Sequence, residues 1–182
     1  AVLTDLYDGE LAYLDAQLGE LLAELRQRHL LDATIVVITS DHGEHLGEHA
    51  LFEHRFSLYE PVLHVPLLMR YPKALPAATR VAEPVSLADV FPTLLELAGL
   101  EASTLQTALP GYSLVGSGLA VPTDRPILAE YDAPRDLLVR FRQKPQPIDE
   151  RYFTRSLKSL RQGPWKFIWA SDGAHELYNL HQ

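Results

Sequence analysis

Cysteine is absent from the 182 residues. No disulfide, thiolate zinc site, iron–sulfur cluster or cysteine nucleophile can be built from this chain alone. The absence says little about compartment, because a chain without thiols is at home in either redox setting. Clustered cations are also lacking: 16 Lys and Arg stand against 24 Asp and Glu, a formal charge of −8. The nearest approach to a basic run, Arg135 to Lys144, is loosely spaced and followed by prolines. Nucleic acid binding needs concentrated positive charge, so no such partner is expected. No apolar run approaches the roughly 18–20 residues of a membrane-spanning helix, and no signal peptide is visible. The chain opens on Ala1, without a Met start, and reads as beginning in mid-protein.

What is present describes a folded protein. With 47% hydrophobic and 22% charged residues, the chain can bury a substantial core. Leu11, Leu14, Leu18, Leu21, Leu22 and Leu25 recur at helical spacing, with acids at the start and Arg26, Arg28 and His29 at the end, as the helix dipole favours. The spacing predicts a helix from about Asp5 to His29 whose leucine stripe is core. Thr34 to Thr39 is a β-branched run without alternation, the pattern of a strand buried on both faces. His64 to Arg70 is a second such run. Ser86, with Asp89 three residues on, opens a further helix that continues to Gly99. Strand, helix, strand and helix in this order predict an α/β fold with a mainly parallel sheet flanked by helices. Residues 101–126 read as a surface connection and Arg135 to Asp149 as a polar loop. Ile127–Tyr131, Leu157–Leu160, Trp165–Trp169 and Glu176–Tyr178 read as short strands of a small C-terminal antiparallel subdomain. The expected division is 1–126 for the α/β core and 127–182 for the α+β subdomain.

Chemistry concentrates in one place. Four of the eight histidines, His42, His45, His49 and His54, lie within the stretch DHGEHLGEHALFEH, among Asp41, Glu44, Glu48 and Glu53. Imidazoles and carboxylates are both ligands for divalent metals. The stretch directly follows a strand, at the end of a sheet where α/β proteins place their sites. Two metal readings compete. His45-Leu46-Gly47-Glu48-His49 matches the H-x-x-E-H pattern of inverted zinc proteases, which requires both histidines on one helix; Gly47 and the strand upstream oppose that. In the other, Asp41 and His42 hold a metal at the strand terminus. His54 then returns across the site to meet an anionic ester oxygen or protonate a leaving group.

The order TIVVITSDHGEHLGEHALFEHRFSLYEP, then HVPLLMRYP, closely resembles the sulfatase family of the alkaline phosphatase superfamily. Ser86 to Gly99 is similar to that family's D-x-x-P-T-L-L-x-x-A-G helix. Pro110 to Leu114 is like its P-G-x-S-L loop, and Trp165–Ile168 with Glu176–Leu180 resembles its closing hairpin. The resemblance implies a metal-dependent sulfate ester hydrolase. Asp41 and His42 would be metal ligands, calcium being the usual ion. His54 would be the catalytic contact to the sulfuryl or phosphoryl group, and His49 a supporting or substrate-side residue. Glu44, His45, His64, His175 and His181 are expected to be structural or exposed.

The resemblance also exposes a gap. None of the 13 prolines lies in a C/S-x-P-x-R motif, and no Asp-Asp pair occurs. The chain is therefore expected to be the half without the nucleophile, with the N-terminal half of the same protein as its partner. The substrate would be a small-molecule or carbohydrate sulfate ester. A phosphoester or phosphonate hydrolase, or a phosphoethanolamine-type transferase using zinc or manganese, stays open as an alternative, and so does a non-catalytic binding module. Compartment and oligomeric state are left open.

Overall fold

The computed structural model describes residues 2–100, 110–115, 119, 121–122, 124–133 and 153–181. The expected polar loop from Arg135 to Asp149 and much of the 101–126 connection lie outside them.

The first helix, α1, runs Val2–Gln27, with Asp5 in its first turn and Arg26 in its last. It ends without glycine: His29 adopts the left-handed backbone, and Leu30 N–H reaches back to the Leu25 carbonyl at 2.9 Å, a closure that satisfies an orphaned carbonyl. The leucine stripe is not core here. No residue of α1 is buried, and Leu11, Leu14 and Leu21 remain about half exposed. Helical spacing identifies an apolar face but not what covers it: among the described residues Leu18, Leu22 and Leu25 are only half-buried.

After a 3-10 turn at Leu31–Ala33, β1 (Val36–Thr39) leads into the histidine stretch. Within it, β2 (His45–Leu46) and β3 (Phe52–Glu53) form a two-rung antiparallel ladder. The short helix α2 (Glu60–Leu63) then gives way to β4 (Leu67–Arg70). β1 and β4 pair antiparallel, Val36 opposite Arg70 and Thr39 opposite Leu67. The expected parallel sheet is thus not made by these two strands. A parallel pair needs a crossover of a dozen or more residues, usually a helix; here the connection is the histidine loop and one helical turn, and the chain folds back on itself. β1 is only partly buried, which corrects the reading of a strand covered on both faces.

Ser86 and Asp89 form the predicted reciprocal capping box, and helix α3 (Val90–Leu97) follows. Pro92 sits in its first turn, where a missing N–H costs nothing. Asp89 is fully buried and does more than cap. It accepts from Tyr112 N–H at 2.9 Å and from Arg125 through both carboxylate oxygens at 2.7 and 2.8 Å. Burial alone would raise the Asp89 pKa, but Arg125 and the backbone donors outweigh it and hold the carboxyl below its usual range. Gly111 is needed beside this clamp, because a Cβ there would sit 1.9 Å from the Ala88 carbonyl oxygen.

The C-terminal strands agree with the expected antiparallel subdomain. β5 (Ile127–Tyr131), β6 (Leu157–Gln162), β7 (Trp165–Ala170) and β8 (Glu176–Asn179) form one sheet in that order. Every adjacent pair is antiparallel. Along β7 the inward residues are Lys166, Ile168 and Ala170, and Trp165, Phe167 and Trp169 face outward. Leu157, Ile168 and Ala170 from this sheet pack on Leu58 and Tyr59 to make the core. The core therefore lies directly behind the histidine loop.

Candidate functional site

The loop after β1 is drawn tight by its backbone. Gly43 N–H donates to the Val62 carbonyl at 2.7 Å. A Cβ on Gly43 would lie 2.1 Å from the Pro61 carbonyl oxygen, so only glycine lets the loop approach α2 this closely. Further on, His49, Ala50, Glu53 and Phe56 all carry left-handed backbone. Each costs of order 1 kcal/mol, and such a run persists only where its surroundings hold it.

The β2–β3 ladder explains which side chains meet. His45 pairs with Glu53, so the next rung outward sets Glu44 opposite His54. Their side chains touch, with His54 Nδ1 3.3 Å from Glu44 Oε2. The His54 ring also stacks on His42, with centroids 3.9 Å apart and planes 22° from parallel. His42 Nδ1 lies 3.0 Å from the Gly43 carbonyl; a carbonyl only accepts, so Nδ1 is the donor of this hydrogen bond. His42, Glu44 and His54 each offer a ligand atom, and these lie within 4.8 Å of one another. Among the described residues they are the group able to hold a metal ion.

The expected residues divide. His42 and His54 are brought together. The Asp41 side chain is 87% exposed, with Oδ2 3.8 Å from His42 Nε2, and it stands outside the metal-competent group. His49 lies elsewhere, stacked on Tyr59 at 3.8 Å and 10°. His45 is structural, as expected: it is fully buried, with Nε2 2.7 Å from Ser57 Oγ, and burial pushes its pKa down. His45 sits on a strand and His49 has left-handed backbone, so the zinc-protease helix does not exist here. Glu44, expected to be structural or exposed, is the neighbour that sequence reasoning did not place beside His42 and His54.

Behind the loop, a polar clasp joins α2 to the C-terminal sheet. Tyr59 donates its hydroxyl to Glu176 at 2.9 Å. Glu60 receives Lys166 at 2.7 Å and Arg161 at 3.0 Å. His49, stacked on Tyr59, is thereby held through the sheet.

The sulfatase family model matches residues 2–100. The chain belongs to the sulfatase family. Over 166 residues it is 37% identical to arylsulfatase K of Mus musculus, an alignment that covers 90% of this chain and 27% of the relative. The solved structure of BT4656 with its substrate D-glucosamine-2-N,6-O-disulfate superposes with a TM-score of 0.72 at 28% identity, covering 94% of this chain and 32% of that one. The phosphonate monoester hydrolase SpPMH from Silicibacter pomeroyi gives 0.70 at 25% identity, covering 92% and 32%. The chain thus spans about a third or less of the sulfatase-family proteins it matches.

Calcium takes six to eight oxygen ligands. The sulfatase loop in this chain supplies two imidazoles, Glu44 and the solvent-facing Asp41. By itself that donor set does not fit calcium.

Proposed function

We propose that this chain is the ester-contacting portion of a sulfate ester hydrolase that depends on a divalent metal. The observation that carries the reading is the return of His54 onto His42, next to Asp41, at the end of β1. Protonated, the His54 imidazole donates an N–H to an anionic ester oxygen or to the departing alkoxide. Glu44 orients that ring through its 3.3 Å contact. A fixed donor aimed at developing charge costs no reorganisation in the reaction. Calcium at the complete site would need oxygen ligands from outside this chain beside Asp41 and His42. The nucleophile, too, would come from outside, as would parallel strands flanking β1 and a cover for the exposed leucines of α1. The 1–126 and 127–182 portions would act as core and buttress. The disulfated glucosamine bound by BT4656 favours a sulfated carbohydrate as substrate class.

The test is turnover of 4-nitrophenyl sulfate by the full-length protein. His54→Ala is expected to lower kcat/KM by about 10²–10⁴-fold, and unchanged turnover would remove His54 from the reaction. The likeness to SpPMH favours a second reading, phosphonate monoester hydrolysis. Faster cleavage of 4-nitrophenyl phenylphosphonate than of the sulfate would select it, and cleavage of neither would select a non-catalytic binding module.

A further inference from the structure

The stretch from His45 to Ser57 starts and ends in the interior, with exposed residues between. His45 is fully buried, and Phe56, Ser57, Leu58 and Tyr59 are buried in succession. His54 stands three residues before Ser57. Four residues of the stretch that are not glycine, His49, Ala50, Glu53 and Phe56, hold left-handed backbone. Such residues persist only where their surroundings over-determine them, so the loop that carries His54 needs an anchor.

The anchor is a buried hydrogen bond. His45 Nε2 lies 2.7 Å from Ser57 Oγ, joining residues twelve positions apart. The His45 ring also stands edge-on to His49 and to Tyr59, with centroids 6.4 and 6.1 Å away. Its Nδ1 has no hydrogen-bond partner among the described residues. A buried nitrogen left unpaired is costly, and an apolar side chain of similar size would avoid that cost. It could not make the directional tie to Ser57, which is what the imidazole adds. Nor are the two residues a nucleophile and its base: Ser57 is 2% exposed, and no described carboxylate orients the imidazole through Nδ1, as an activated serine would require.

We infer that His45 and Ser57 are positioning residues, whose hydrogen bond closes this loop and holds the His54 ring in its stack against His42. Buried as they are, they reach no substrate and act through His54, so their effect on turnover rests on the ester-contact reading of that residue. A reacting group misplaced by about 1 Å can cost about 10²-fold in rate.

Turnover of 4-nitrophenyl sulfate and amide hydrogen exchange, both read on the full-length protein, test the inference. Ser57→Ala removes the hydroxyl with little loss of volume. It is expected to lower kcat by about 10–100-fold and to leave KM within about threefold, because the contact that suffers is made in the transition state. His45→Leu, which removes the other end of the bond, should do the same. In a His54→Ala background, Ser57→Ala should cost less than about threefold more, since two changes acting through one contact do not add. Leu51 N–H donates to the Glu48 carbonyl at 2.9 Å within the loop. Its exchange should quicken by about tenfold or more in Ser57→Ala, with exchange in β6 and β7 as in wild type, which separates an opened loop from a lost fold. Full additivity of Ser57→Ala and His54→Ala in kcat overturns the inference. So does unchanged exchange at Leu51, whatever turnover does. Faster exchange at Leu51 together with unaltered turnover in His54→Ala upholds the closure of the loop and removes the ester-contact reading instead.

Discussion

Glu60→Gln takes the counter-charge from a lysine that has almost no water. The Lys166 side chain is 2% exposed, and its nearest anion is Glu60 at 2.7 Å. Burial pushes the Lys166 pKa down, and the ion pair with Glu60 offsets part of that. Without the carboxylate the ammonium has two courses: stay charged and unpaired, or release its proton. Release sets an upper limit on the cost. From the ordinary lysine value of 10.5 to pH 7 is about 3.5 pH units, or about 4.8 kcal/mol at 1.36 kcal/mol per unit. Breaking one partner of a buried pair costs about 3–5 kcal/mol, so the expected loss at pH 7 is about 3–4 kcal/mol. At pH 9 the limit falls to about 2 kcal/mol. The sign follows from proton counting. In the variant the folded lysine has the lower pKa, so the unfolded chain binds more protons and stability rises with pH. Urea unfolding of wild type and variant at pH 7, 8 and 9 reads this directly. A loss below about 1 kcal/mol at pH 7, or one that does not shrink towards pH 9, would refute the reasoning. Lys166→Met should be far milder, within about 1 kcal/mol, because it removes the buried charge itself and leaves Glu60 paired with Arg161.

Two further outcomes test other parts of the fold. Gly43→Ala puts a methyl 2.1 Å from the Pro61 carbonyl oxygen; backbone cannot yield as a side chain does, so a loss of about 1–3 kcal/mol is expected by thermal melting. Loosening of the histidine loop should appear as faster hydrogen exchange at Gly43 N–H. Asp89 makes the protein acid-sensitive: its folded pKa lies below the ordinary 3.8, so its contribution is complete above that value and is lost as pH falls through the folded one. Asp89→Asn should flatten the acid limb of the unfolding midpoint below the ordinary carboxyl value of 3.8, and an unchanged limb would assign it to other groups.

The local elements were largely legible. The helix at α1, the capped helix at α3 and the four C-terminal strands follow from periodicity, from Ser86 and Asp89, and from the Gly163-Pro164 and Ser171-Asp172-Gly173 turns. His42 and His54 could be singled out because few loops gather so many imidazoles. What could not be read is where each face points. Trp165, Phe167 and Trp169 look like the core side of β7, yet they face outward and Lys166 points in. A period of two marks two faces without saying which is covered; here the outcome turned on Glu60 waiting at the end of another element. Along α1 the helical period likewise marks an apolar face without saying what covers it, and no residue of it is buried here.

Short-range chemistry in the chain, its spacings, caps, turns and dense histidine stretch, determined the element types, the family and the residues worth testing. Only the tertiary structure decided the pairing of β1 with β4, the separation of His49 from His42 and the entry of Glu44 into the site. Those outcomes depend on register and chain reversal. The His45–Glu53 rung, for example, sets Glu44 opposite His54, a contact between residues ten positions apart. Local propensity carries no term for such a contact until the backbone has turned.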